Sequence, residues 1–119
     1  MWRVMEHPGD ELVRVLATLA NPHRLRVVAA LSRHRNYVSQ LARELNISRA
    51  LLQVHLRRLE AAGLVSASLE LSKEGKAMKF YEVEPFLVRL TPETIATAVQ
   101  TLTMGDEGDA DDRSPEAGR

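Results

Sequence analysis

The stretch Val38-Ser-Gln-Leu-Ala-Arg-Glu-Leu-Asn-Ile-Ser-Arg-Ala-Leu-Leu-Gln-Val-His-Leu-Arg-Arg-Leu-Glu-Ala-Ala-Gly-Leu-Val65 decides the fold. Val38, Leu41, Ala42 and Leu45 recur at helical spacing, and so do Leu52, Leu56 and Leu59. Between the two stripes stand Asn46, which tolerates the left-handed conformation of a tight turn, and Ser48, whose hydroxyl can cap the next helix. The spacing therefore predicts helices over about 38–45 and from Ser48 to about Ala62, meeting across a three-residue turn. Gly63 stops the second helix. Beyond it the apolar period falls toward two, over Leu64–Leu71 and Met78–Val83, on either side of the turn-forming run Ser72-Lys73-Glu74-Gly75-Lys76. Two helices with a tight turn, followed at once by a basic-tipped hairpin, make a winged helix-turn-helix.

The flanks complete a mainly α domain of about five helices plus a two-stranded wing. A first helix near 9–19 carries Leu12, Val13, Leu16 and Leu19 on one side. Asn21-Pro22 closes it and opens a second helix over about 22–33, with Leu25, Val28, Ala29 and Leu31 expected inward. Thr91-Pro92-Glu93 starts a last helix over about 92–104, with Ile95, Ala98, Val99 and Leu102 on one stripe. Residues 1–104 form the expected winged helix-turn-helix domain. Residues 105–119 (GDEGDADDRSPEAGR) hold no large apolar side chain and are expected to be a disordered acidic tail.

The net charge of zero is a sum of unlike parts. Residues 1–104 hold 14 Lys+Arg against 10 Asp+Glu, whereas residues 105–119 hold 2 against 6. Within residues 21–62, eight arginines (Arg24, Arg26, Arg33, Arg35, Arg43, Arg49, Arg57, Arg58) face only Glu44 and Glu60, a local +6. That is the footprint of a surface meeting phosphates. With Leu52, Leu56 and Leu59 inward, Arg49, Gln53 and Arg57 turn outward, and arginine and glutamine suit guanine and adenine edges respectively. The candidate DNA contacts are Ser48, Arg49, Ala50, Gln53 and Val54 near the helix start, with Arg57, Arg58 and the wing's Lys73, Lys76 and Lys79 on phosphates. Leu51 is read as packing. His23, His34 and His55 are read as structural or phosphate-facing, since none has a second histidine at i+3 or i+4.

Leu19-Ala-Asn-Pro-His-Arg-Leu-Arg-Val-Val-Ala-Ala-Leu31, Val38 through Ser48, and His55-Leu-Arg-Arg-Leu-Glu-Ala-Ala-Gly-Leu-Val65 resemble the ArsR/SmtB family of bacterial winged-helix transcription regulators. The resemblance covers about residues 10–104. It implies a homodimer whose first and last helices form the interface and whose two recognition helices meet an imperfect palindrome on double-stranded DNA. Leu12, Val13, Leu16, Leu19, Ile95, Val99 and Leu102 are the expected interface, because the terminal helices carry more apolar surface than a small core consumes.

The departures from the family matter equally. Members that sense arsenic, cadmium or lead use cysteines, and this chain has none. Members that sense zinc or nickel through the last helix use an Asp-x-His pair with a later His and acid, whereas residues 91–104 contain no histidine and only Glu93. The metal constellation left is Glu6 and His7 with Asp10 and Glu11, nitrogen and oxygen donors suited to nickel or zinc as an effector. No cofactor is required, and a small-molecule, metal or protein co-regulator is expected as partner. The absence of cysteine, of a glycine-rich phosphate loop and of a Ser/His/acid pattern leaves no catalytic residues, hence no enzyme. With neither a signal peptide nor an apolar span, a cytoplasmic location away from membranes is expected. The rival reading is a winged-helix protein-interaction module that does not bind DNA directly.

Overall fold

The computed structural model describes residues 4, 5 and 8–103 of the chain; the acidic tail and the candidate ligands Glu6 and His7 lie outside the described residues. The element order is β1 (Val4–Met5), α1 (Gly9–Leu19), α2 (Pro22–Arg33), β2 (Asn36–Tyr37), α3 (Val38–Leu45), α4 (Arg49–Ala61), β3 (Val65–Leu71), β4 (Ala77–Val83), β5 (Leu87–Val88) and α5 (Pro92–Val99). Five helices and the β3–β4 wing stand where the sequence places them.

Local chemistry sets the boundaries. Asn46 adopts φ 57° and ψ 48°, the left-handed turn between α3 and α4. The Ser48 hydroxyl accepts the Leu51 N–H at 3.0 Å and caps α4. At the other end Gly63 takes φ +78°, and Leu64 N–H returns to the Leu59 carbonyl at 2.9 Å, a glycine-dependent helix stop. The wing strands pair antiparallel from Val65↔Val83 to Leu71↔Ala77. Two pairings carry no sequence signal, because two-residue strands have no period to recognise. β2 adds a third strand to the wing sheet through Asn36↔Tyr81, and β1 pairs parallel with β5.

The core gathers Val15, Val27, Leu31, Leu41, Leu52, Leu56, Leu59 and Leu64, all buried. Two helix faces and one helix end differ from expectation. On α2, Val27, Ala30 and Leu31 are buried and Val28 is half-buried, whereas Ala29 is exposed and Leu25 is 53% exposed. The cause is Arg24, whose guanidinium turns inward to bond the Thr18 carbonyl at 3.2 Å and His55 at 3.2 Å, so the face 24–27–31 points to the core. On α1, Val15 and Thr18 face the core, Leu12 and Leu19 are half-buried, and Val13 and Leu16 are exposed. Finally, α5 ends at Val99 rather than near 104. Residues 100–102 continue as i→i+3 turns while the Thr101 hydroxyl bonds the Ala98 carbonyl at 3.2 Å and accepts the Gly9 N–H at 2.7 Å.

Candidate nucleic-acid interface

Helix α4 and the wing enclose a groove of about 490 Å³, lined by Arg49, Gln53, Arg57, Lys76, Ala77, Met78 and Lys79, with Tyr37, Val38, Ser39 and Tyr81 at its α3 side. None of the lining residues is acidic. Arg49, Gln53 and Arg57 project from successive turns of α4, as their i, i+4, i+8 spacing requires, and the wing supplies Lys76 and Lys79 from the facing side. Lys79 Nζ sits 5.5 Å from the ring centre of buried Tyr81, which orients the ammonium along β4.

A second groove at the helix-turn-helix corner is lined by Ser39, Ala42, Arg43, Asn46, Ile47, Ser48 and Arg49. Arg49 belongs to both. The N-terminal end of α4 thus lies between two basic concavities, the place from which a recognition helix meets base edges.

Six of the ten predicted contact residues line these grooves. Arg49, Gln53, Arg57, Lys76 and Lys79 share one groove and Ser48 lines the other, while Lys73 is exposed at the five-residue wing tip, outside the larger groove. Ala50 and Val54 are exposed on the outer side of α4 and line neither groove. Arg58 is exposed and lines neither groove, and its charge acts on His55 one turn before it. Leu51, expected to pack, is 39% exposed beside Val54. Its position one turn before the buried His55 on the same flank explains this, since the imidazole takes the core site and Leu51 stays at the rim.

Tyr37, Ser39 and Arg43 are additional groove residues. Arg43 was legible only as part of the basic count, and Tyr37 belongs to a two-residue strand. Arg35 is removed from the phosphate-facing charge, because it makes a two-point ion pair with Glu70 on β3, with Nη2–Oε1 at 2.9 Å, and lies 4.6 Å from the Phe80 ring centre. The guanidinium holds the Glu70 carboxyl below its ordinary range, and the carboxylate raises Arg35 in turn.

Of the proposed metal ligands, Asp10 accepts the Thr103 N–H at 2.8 Å through Oδ1 and the Thr103 hydroxyl through Oδ2. Among the described residues no group of three or more His, Cys, Asp or Glu could hold a metal ion, and no helix is long and apolar enough to cross a membrane.

The family model for bacterial regulatory proteins of the ArsR family matches residues 21–67, the span that holds α2, α3 and α4. An HTH-type transcriptional regulator of Methanocaldococcus jannaschii is 32% identical over 85 residues, covering 71% of this chain and 88% of the relative. The chain belongs to the ArsR family. Among solved structures, an ArsR-like transcriptional regulator from Rhodococcus matches at TM-score 0.54 with 25% identity, over 77% of this chain and 76% of its own. The homodimeric winged helix-turn-helix DNA-binding domain from Mycobacterium bovis matches at TM-score 0.56 with 21% identity, over 76% and 74%, and supports the fold. This ArsR-family protein is therefore a transcriptional regulator with a winged helix-turn-helix DNA-binding domain. Its relatives are regulators rather than enzymes.

Proposed function

We propose that this regulator reads an imperfect palindromic operator as a homodimer, each protomer setting α4 into the major groove and its wing on the adjoining backbone. The observation that carries the reading is that one acid-free groove holds Arg49, Gln53, Arg57, Lys76 and Lys79 together. Gln53 and Arg49 supply base discrimination, and Arg57, Lys76 and Lys79 supply salt-dependent phosphate affinity.

The dimer reading rests on a second surface. Val13 and Leu16 of α1, Ile95 and Val99 of α5 and Leu102 just beyond it are exposed, and α1 and α5 pack on each other. One chain thus leaves a contiguous apolar face that a second copy would cover. The regulator controls transcription by occupying or vacating its operator in response to a small-molecule, metal or protein co-regulator.

Selection of duplexes from a random-sequence pool by the full chain tests the proposal. The expected outcome is an enriched motif with two inverted half-sites, bound by two chains per duplex. Enrichment of an undivided motif by one chain would overturn the dimeric reading. Failure to retain any duplex would favour the interaction-module reading instead.

A further inference from the structure

His55 lies on the recognition helix but faces away from the groove. It is 5% exposed, among Leu52, Leu56 and Leu59, and its Nε2 has no hydrogen-bond partner among the described residues. Its other ring nitrogen, Nδ1, receives the Arg24 Nε–H at 3.2 Å. The same guanidinium donates through Nη1 to the Thr18 carbonyl at 3.2 Å, at the end of α1. One side chain of α2 therefore ties together α1, which presents Val13 and Leu16 on its outer face, and the helix that presents Arg49, Gln53 and Arg57. Arg24 is itself held in place, because Asn21 Oδ1 accepts the N–H groups of His23 and Arg24 at 2.9 and 3.2 Å, and His23 stacks on His55 with ring centres 5.3 Å apart.

This arrangement exists in one protonation state only. A guanidinium has donors and no acceptor, so Nδ1 must offer its lone pair and the ring proton must sit on Nε2. A second proton at Nδ1 would aim N–H at N–H and place a cation against a cation. The surroundings do not absorb that charge. The charges acting on His55 are positive: Arg24 and His23 from α2 and Arg58 from α4. α1 contributes the uncharged Thr18 carbonyl. Of the acids on the other elements packed on α4, Glu44 of α3 bonds Asn36, Glu70 of β3 bonds Arg35, and Asp10 and Glu11 lie in the first turn of α1, at the end away from Thr18, where Asp10 bonds Thr103. Burial and these neighbours hold the imidazole below its ordinary range, in the neutral form that Arg24 needs.

We infer that Arg24 is a positioning residue that locks the recognition helix to α1 and α2 through neutral His55, and that a proton on His55 releases the lock and lowers DNA affinity. The inference rests on the DNA-recognition reading above. Gln53 stands two residues before His55 and Arg57 two after, so a shift of α4 at this point displaces both groove side chains. The sign is opposite to the general expectation, in which added positive charge strengthens phosphate binding.

The test uses the full chain and a duplex selected by it from a random pool at about pH 7.5. At constant ionic strength, affinity of the natural protein should fall progressively as the pH drops from about 7.5 into the range below 6.5 where His55 takes its proton, by about threefold or more at about pH 5. His55→Gln, which offers an amide oxygen to Arg24 and cannot titrate, should change by about twofold or less, while His34→Gln, at an exposed histidine, should follow the natural protein. Unchanged or rising affinity on acidification, or an equal fall in His55→Gln, overturns the inference. Histidine ring nitrogen shifts on the DNA-free protein decide it independently of how the variant folds. The lock requires an Nε2–H tautomer at neutral pH and α4 amide resonances that move together with His55 protonation. A His55 ring that takes its proton with α4 unmoved overturns it. Failure to select any duplex strikes the DNA-recognition reading, and the ring titration still decides the lock.

Discussion

The backbone N–H of Gly9 donates to the hydroxyl of Thr101 at 2.7 Å, joining the first turn of α1 to the end of α5 across 92 residues of sequence. The helices meet there because Gly9 has no side chain: a Cβ would collide with the Ala98 carbonyl oxygen and stand 3.0 Å from the Cα of Leu102. These are backbone neighbours that cannot swing aside. Gly9→Ala should therefore force the terminal helices apart and cost about 1–3 kcal/mol in a denaturant titration. Because the same two helices present the proposed dimer face, sedimentation should also register weaker self-association in that variant. Unaltered stability would place the close approach elsewhere.

In the groove, Gln53 and Lys76 face the same space but are assigned different work. Lys76→Ala should weaken binding to selected and random duplexes alike, and should reduce the slope of log affinity against log salt by about one ion. Gln53→Ala should leave that slope alone and lose about 1–3 kcal/mol of preference for the selected sequence. Glu70→Gln offers a contrast, since it frees the Arg35 guanidinium from its ion pair and should raise non-specific affinity. Competition titrations with both duplexes at several salt concentrations measure all three. Equal losses on both duplexes for Gln53→Ala would remove it from base readout.

How far the sequence was legible follows from the range of each signal. The α3–α4 corner could be read because each of its parts is local: the leucine period, the Asn46 turn, the Ser48 cap and the Gly63 stop all lie within 26 residues. The face of α2 could not, because one arginine defies the rule that charge lies outside, and its partners are Thr18 and His55, 31 residues apart from it in the latter case. The same limit applies to the basic patch. Counting charges identified the right region, but Arg35 is paired with Glu70, 35 residues away. The end of α5 was misplaced for a related reason, since Thr101 and Thr103 turn to Gly9 and Asp10 in place of continuing the helix.

The proposed dimer face makes a prediction about oligomeric state. Val99 is 55% exposed and Leu16 is also open, although both belong to helices that otherwise contribute to packing. A charge at either position costs little in an isolated chain and much in a covered interface. Val99→Glu and Leu16→Glu should sediment as monomers while remaining folded by circular dichroism. Their affinity for a two-half-site duplex should drop by about tenfold or more, with single half-site binding retained. Dimers that persist in both variants would place the interface on another surface.

The proposed nickel or zinc effector at Glu6, His7, Asp10 and Glu11 competes with a bond already in place, because the Asp10 carboxylate is held by Thr103. An ion that draws on this carboxylate weakens its hold on Thr103 and loosens the tie between α1 and the end of α5. Calorimetric titration should therefore detect nickel or zinc binding that His7→Ala abolishes, and Thr103→Val should strengthen it by removing the competing donor. Undiminished binding to His7→Ala would reject the site.

Stability should depend on pH through His55 in a direction that can be worked out. Its ordinary value of 6.5 applies to the unfolded chain, and burial, followed by the charges of Arg24, His23 and Arg58, lowers it in the fold. Below 6.5 the unfolded state thus binds a proton that the native state refuses, and proton uptake favours unfolding. The stabilisation is present in full above the unfolded value and is lost as the pH falls from there through the folded value. Urea midpoints should accordingly be flat above about pH 7 and decline through mildly acid pH, and His55→Gln should flatten that decline. A decline of the same steepness in His55→Gln would assign the acid sensitivity to other groups.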